Sequence, residues 1–365
     1  MIRSICKYAG ITVACLAIVS LSSGLLYRKH RQHIVAAERT ISSPNGIDSL
    51  EPVRIGGIEQ WIEIRGQNVG NPILLFIHGG PGIAFIPLAG AFQGRWEKYF
   101  TVVQWDQRGA GKTYASNDKE LVRATMNMAR MEQDTVDLVN YLRDRFHREK
   151  IFVLGHSWGS VLGLWLAHEH PDLIYAYVGV GQVVDMDQNA DIVYREALLQ
   201  ARNRRNDLAI KELESIAPYP PPVADLRKLL IANKWAARLL GPPLSAQGFT
   251  NIPRIVAAVF SAPEYSLADD FGFFRGQLFS ARGLLAEVAR IDLHALGPDF
   301  RVPIFFFEGR QDPYYRPSLI WEYSQSIRAP QKQFLWFDHS GHFPFFEEPG
   351  KFADELFRQV LPLAN

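Results

Sequence analysis

Val153-Leu154-Gly155-His156-Ser157-Trp158-Gly159-Ser160 is the stretch from which the fold is read. An apolar run, 151–154, leads into it, and a helical stretch over about 160–168 leads out. Glycines two residues before and after Ser157 permit a sharp turn from strand to helix, because a side chain at Gly155 or Gly159 would meet the neighbouring strand or helix. Such a turn holds Ser157 at its tip with the hydroxyl above the sheet. A plain glycine-rich turn whose serine only caps the helix has the same spacing. The strand before it and the helix after it favour the first reading.

Outward from this point the chain alternates. Residues 58–64 partly alternate apolar with polar and read as an antiparallel edge strand. Continuous apolar runs at 73–77, 100–105 and 173–180 are those of strands buried on both faces. Met131, Leu138, Val139 and Leu142 give 129–146 a helical period. Strands alternating with helices predict an α/β fold, with a mostly parallel sheet and helices on both faces. From 183 to 299 the alternation stops. This region reads as helical, broken at Tyr219-Pro220-Pro221-Pro222 and rich in aromatics such as Trp235, Phe260, Phe271 and Phe279. It is expected to be a helical cap inserted over a site, the alternative being a structural subdomain without a ligand. Strand patterns return at 302–307 and 333–337, and 349–360 closes the chain as a helix. The core is therefore expected at 51–182 and 300–365, with the cap at 183–299.

At 365 residues the chain can bury a large core, and a net charge of +1 gives no reason to expect nucleic acid or a strongly acidic partner. Its two cysteines, Cys6 and Cys15, lie near the N-terminus, so the globular region has neither a disulfide nor a cysteine nucleophile. Arg3 and Lys7 precede an uncharged stretch, 8–27, and Arg28-Lys29-His30-Arg31 follow it. Some twenty uncharged residues as a helix are about enough to cross a hydrocarbon core of roughly 30 Å. Residues 1–31 thus read as a single-span membrane anchor, and a cleaved signal peptide that leaves a secreted or periplasmic protein is the alternative. Residues 32–50 read as a polar linker with a turn at Ser43-Pro44-Asn45-Gly46.

A serine hydroxyl is a weak nucleophile until a base takes its proton, and the base in turn needs an orienting acid. Glu308-Gly309-Arg310-Gln311-Asp312-Pro313 follows one late strand, and His339-Ser340-Gly341-His342-Phe343 follows the next. Asp312 is taken as the acid, with Glu308 and Asp338 as rivals, and His342 as the base ahead of His339. His156 adjoins Ser157 in sequence, must point elsewhere, and reads as structural. A tetrahedral intermediate needs two preorganised N–H donors. Those of Trp158 and of Gly80, within His78-Gly79-Gly80-Pro81-Gly82, are the candidates for an oxyanion hole. Two other signals are set aside. Asp106 to Thr113 differs from a phosphate-binding loop by an aspartate in place of its first glycine, and that carboxylate would repel phosphate. His168-Glu169-His170 lacks a third metal ligand at usable spacing. No metal and no cofactor are expected; the partner is a small-molecule or short-peptide substrate.

With these residues in hand, the chain resembles the proline iminopeptidase (prolyl aminopeptidase) branch of the α/β-hydrolase superfamily. The resemblance rests on His78-Gly79-Gly80-Pro81-Gly82, Asp106-Gln107-Arg108-Gly109-Ala110-Gly111, Gly155-His156-Ser157-Trp158-Gly159, Gly309-x-x-Asp312 and Ser340-Gly341-His342. It implies an α/β-hydrolase fold with a helical cap, no metal and no organic cofactor, and release of an N-terminal residue, typically proline, from small peptides. A carboxylesterase or lipase-like hydrolase of apolar esters is the alternative, and a non-catalytic binding module on the same scaffold is another. The cap departs from the branch. Where that family holds the substrate amine with a carboxylate in a Trp-x-x-Trp-Glu-like stretch, this chain has Asn233-Lys234-Trp235-Ala236-Ala237-Arg238, without an acid. Glu196, Glu214, Glu264, Asp269 and Asp270 are the other acids available in the cap; the substrate-binding residues are otherwise unassigned.

Overall fold

The computed structural model describes residues 2–242 and 252–364, the side chains of 2–15 and 252 excepted. Its centre is a sheet of eight strands: β1 (Ile47–Ile55), β2 (Ile58–Gly66), β3 (Ile73–Ile77), β4 (Thr101–Asp106), β5 (Ile151–His156), β6 (Ile174–Val180), β7 (Ile304–Gly309) and β8 (Lys332–Phe337). Their order is β1-β2-β4-β3-β5-β6-β7-β8. The β1–β2 hairpin is antiparallel, β2 runs antiparallel to β4, and every pairing from β4 to β8 is parallel. Residues 58–64 are antiparallel as expected but not at the edge, because β1 lies outside them. Acids and Pro52 disguise β1, and proline is tolerated there because an edge strand has one unpaired side.

The two-residue period of a strand sends successive side chains to opposite faces. Ile73, Leu75 and Ile77, Ile151 and Val153, and Ile304 and Phe306 join one hydrophobic core. Their neighbours Leu74 and Phe76, Phe152 and Leu154, and Phe305 and Phe307 join a second core on the other side. Helices such as Met128–Phe146 and Trp158–Glu169 cover the first. Continuous apolar runs are thus required by a sheet with no wet face.

The cap contains helices Met186–Asn203, Asp207–Glu214, Leu226–Leu239, Ile252–Ser261 and Leu267–Val288. The first three share a small core of their own, with Tyr194, Ala197, Leu213 and Trp235 buried together. Leu267–Val288 instead lies directly on the β4–helix loop. A Cβ at Gly272 would stand 2.7 Å from the Gly111 carbonyl oxygen, one at Gly276 would stand 2.7 Å from that of Gly109, and Ser280 Oγ donates to Gly109 O at 3.0 Å. Only small residues at that four-residue spacing let the helix come so close.

The expected membrane anchor is corrected. Among the described residues, no helix is long and apolar enough to cross a membrane. Residues 2–38 form one helix, Ile2–Glu38, which runs on through the stretch read as the start of a linker. Ser20, Ser22, Ser23 and Gly24 break up the apolar run. Arg28, the first charge after it, is turned to the protein. Arg28 donates to the Tyr265 carbonyl at 2.8 Å and pairs with Asp270 at 3.0 Å. Gln32 donates to the carbonyls of Ala262 and Tyr265, and Arg39 pairs with Glu63 of β2 and Glu264 of the cap. The second half of the helix is therefore docked on the protein itself. The side chains of 2–15, part of the expected anchor, lie outside the described residues.

Candidate active site

Ser157 sits between β5 and helix Trp158–Glu169 at φ 54° and ψ −123°, a left-handed conformation rare for a residue with a Cβ. The turn is held by Ser157 N–H donating to Val180 O at 2.9 Å and Ser160 Oγ donating to Ser157 O at 2.6 Å. Its glycines are sterically required. A Cβ on Gly159 would stand 2.0 Å from the Ile77 carbonyl oxygen, and one on Gly155 would stand 2.6 Å from the Gly159 carbonyl oxygen.

The loops after β7 and β8 carry the candidate acid and base. His342 Nδ1 lies 2.6 Å from Asp312 Oδ2, and Asp312 is wholly buried. Its other oxygen, Oδ1, accepts the backbone N–H groups of Tyr314 at 2.7 Å and Tyr315 at 3.1 Å, which fixes the carboxylate plane. The rivals have other partners. Glu308 Oε1 accepts from Gln182 N–H, and burial pushes its pKa well above the carboxylate range. Asp338 is exposed and paired with Arg310, whose hydrogen bond pulls its pKa down. His339 is exposed, and its backbone N–H goes to Glu348.

Ser157, His342, Gly79 and Gly80 line one cavity of about 310 Å³ under the cap. The loop after β3 presses on the turn, since a Cβ on Gly79 would be 2.9 Å from Ser157 Cβ. His78 and Gln107 brace that loop: Gln107 Nε2 donates to His78 O at 2.8 Å, and its Oε1 accepts the Trp158 indole N–H at 3.1 Å. Burial lowers the His78 pKa to about 4, so this imidazole is neutral. Neighbours of Gln107 serve elsewhere. Asp106 takes Lys112 N–H and the Tyr265 phenol, which joins core to cap. Arg108 forms a fully buried ion pair with Asp134 at 2.7 Å. The phosphate-loop-like stretch is thus an internal brace.

His156 reads as structural from sequence, and its ring meets His342 at 4.7 Å between centroids while Nε2 lies 3.0 Å from the His342 carbonyl. Burial first, then the nearby His342, lowers its pKa well below the usual value, so it supports the His342 loop as a neutral group.

Three contributors escaped the sequence reading. The Tyr315 ring lies 5.4 Å from the His342 ring, tilted by 41°, and Tyr315 lines the same cavity as Ser157; burial pushes its phenol up to about 12, so it stays protonated. Tyr314 meets His342 at 5.2 Å. Gly181, at φ +54°, leaves room for the imidazole: a Cβ there would be 2.6 Å from His342 Cε1. A glycine directly after a strand whose end faces the site was the available signal.

No cap acid singled out in the sequence lines the cavity among the described residues. Glu196 pairs with Arg316 at 3.1 Å, Glu214 with Arg202 at 2.9 Å, Asp269 with Lys112 at 2.8 Å, Asp270 with Arg28 at 3.0 Å, and Glu264 with Arg39. Away from the cavity, Asp185, Asp292 and His294 bring ligand atoms within 4.8 Å of one another, but both aspartates cap the helices that follow them.

Residues 72–349 match the α/β hydrolase fold family. The chain is 31% identical over 324 residues to a probable aminopeptidase, YbaC, of Bacillus subtilis, covering 88% of this chain and 98% of that one. It is 30% identical over 322 residues to a proline iminopeptidase of Clostridioides difficile, covering 82% and 94%. In fold it is similar to a proline iminopeptidase-related protein of Thermus thermophilus, with a TM-score of 0.58 at 21% identity over 87% of this chain and 98% of that one. The chain belongs to the α/β-hydrolase family, on the branch that holds the proline iminopeptidases.

Proposed function

We propose that this hydrolase works as a serine hydrolase, cleaving a small carbonyl substrate through an acyl-enzyme on Ser157. The observation that carries the reading is the buried Asp312–His342 contact of 2.6 Å in the same cavity wall as Ser157. With Nδ1–H donating to Asp312, the imidazole presents Nε2 as the base. Ser157 Oγ attacks the carbonyl carbon as its proton passes to Nε2. The negative oxygen is received by the backbone N–H groups of Gly80 and Trp158, the latter in the first turn of a helix whose N–H groups lack internal partners. His342 then protonates the leaving group, the acyl-enzyme remains, and a water deprotonated by His342 releases the acid and restores Ser157. Asp312 stabilises the imidazolium that forms in both halves.

The relatives named aminopeptidase and proline iminopeptidase support a peptide-like substrate cleaved at its N-terminal residue. The second reading is an ester or amide of an apolar acid; the uncharged lining of the cavity favours it. Both readings share one test. A fluorophosphonate should add covalently to Ser157 in the folded full-length protein, and Ser157→Ala should take no label. Absence of labelling in folded wild-type protein would mean that the scaffold serves as a binding module.

A further inference from the structure

The cavity wall answers what kind of acyl group Ser157 receives. Among the described residues no Asp, Glu, Lys or Arg lines it. Beyond the catalytic end it is lined by Met186, Val193, Leu229, Leu285 and Val288, with Asn189, Asn233 and Gln277 as neutral polar groups. Residues 243–251, between two helices of the cap, read Pro-Leu-Ser-Ala-Gln-Gly-Phe-Thr-Asn and contain no Asp or Glu. Glu196, Glu214, Glu264, Asp269 and Asp270 are each paired with an arginine or lysine away from the cavity.

We propose, resting on the acyl-enzyme reading above, that the site takes a neutral, apolar acyl group and discriminates against substrates with a free ammonium group next to the scissile carbonyl. An ammonium group buried among these side chains would lose its hydration without gaining a counter-charge, which disfavours the charged form. The cheaper route is to shed the proton before binding. A free α-amine has a pKa of about 7.7–8.0, so about one molecule in a hundred is neutral at pH 6 and about one in ten at pH 7. The penalty is therefore set by the substrate's own titration and fades above pH 8.

The test uses the full-length protein with alanyl 4-nitroanilide and isobutyryl 4-nitroanilide, in which a methyl group replaces the ammonium of the first. The ratio is read as kcat/KM where the anilides turn over, and as protection of Ser157 from a fluorophosphonate where they only bind. The isobutyryl compound should be favoured about 100-fold at pH 6, about tenfold at pH 7 and less than about threefold at pH 9. Ionisations of the enzyme affect both compounds and cancel in the ratio. Preference for the alanyl compound at pH 6, a ratio that does not change with pH, or exclusion of both compounds overturns the inference while Ser157 still labels. A protein in which Ser157 takes no label fails earlier, at the acyl-enzyme reading itself.

Discussion

Replacing Asp106 with asparagine should flatten the fall of stability toward alkaline pH, although it removes a charge that has lysine and tyrosine beside it. Asp106 is wholly buried at the end of β4. Its Oδ2 accepts from Lys112 N–H and from the Tyr265 phenol, while Oδ1 has no hydrogen-bond partner among the described residues. Burial raises its pKa from 3.8 to about 7, and the nearby Asp269 adds to the rise; the Tyr265 and Lys112 hydrogen bonds and the Lys112 charge oppose it. The folded state therefore holds a proton that the unfolded chain loses near pH 4. Stability falls as pH rises through that window and levels off above pH 7. At 1.36 kcal/mol per pH unit, a rise from 3.8 to about 7 corresponds to about 4 kcal/mol in all, of which about 3 kcal/mol is lost between pH 5 and 8. Asparagine is neutral, has the same shape, and keeps one acceptor for both donors. Urea unfolding at pH 5 and pH 8 should show a stability loss about 3 kcal/mol smaller in Asp106→Asn than in wild type. Glu63, whose pKa burial raises to about 8, adds a slope of the same sign to both proteins and leaves the difference intact. Equal losses in the two proteins would refute the reasoning.

Asp312→Asn should fold normally and lower kcat by roughly 10⁴, because the imidazole loses its tautomer control; a loss below about tenfold would leave Asp312 without the role given to it. Gly159→Ala drives a Cβ to within 2.0 Å of the Ile77 carbonyl oxygen, so thermal unfolding should show a loss of about 3 kcal/mol or more. An unchanged melting temperature would mean that the turn can open. Gly181→Ala should displace His342 with modest destabilisation, costing about 1–2 kcal/mol for a non-glycine residue at φ +54° but about 100-fold in kcat/KM. If activity survives, the imidazole does not depend on that space.

The sequence carried the fold wherever a residue's surroundings were dictated by its near neighbours. Apolar runs gave the central strands, because a sheet covered on both faces has nowhere to put a polar side chain. Asp312 and His342 could be chosen because strand ends come to one edge of such a sheet, and the structure does bring them together. What stayed hidden depends on partners far along the chain. Arg39 meets Glu264 across 225 residues and Arg28 meets Asp270 across 242, so a basic cluster after an uncharged stretch looked like the flank of an anchor. β1 was hidden because an edge strand can carry acids and a proline. Tyr315 follows Pro313 in a short turn, and only the folding back of that turn gives it a place beside His342.

The separate small core shared by helices Met186–Asn203, Asp207–Glu214 and Leu226–Leu239 makes this part of the roof a cartridge. It buries side chains of its own and meets the loop after Asp312 through Asn189, whereas Leu267–Val288 is seated on the β4 loop through Gly272 and Gly276. The cartridge supplies Met186, Val193, Leu229 and Asn233 to the cavity without supplying any residue of the proposed catalytic trio. Replacing those lining side chains one at a time therefore reshapes the cavity without touching Ser157, Asp312 or His342.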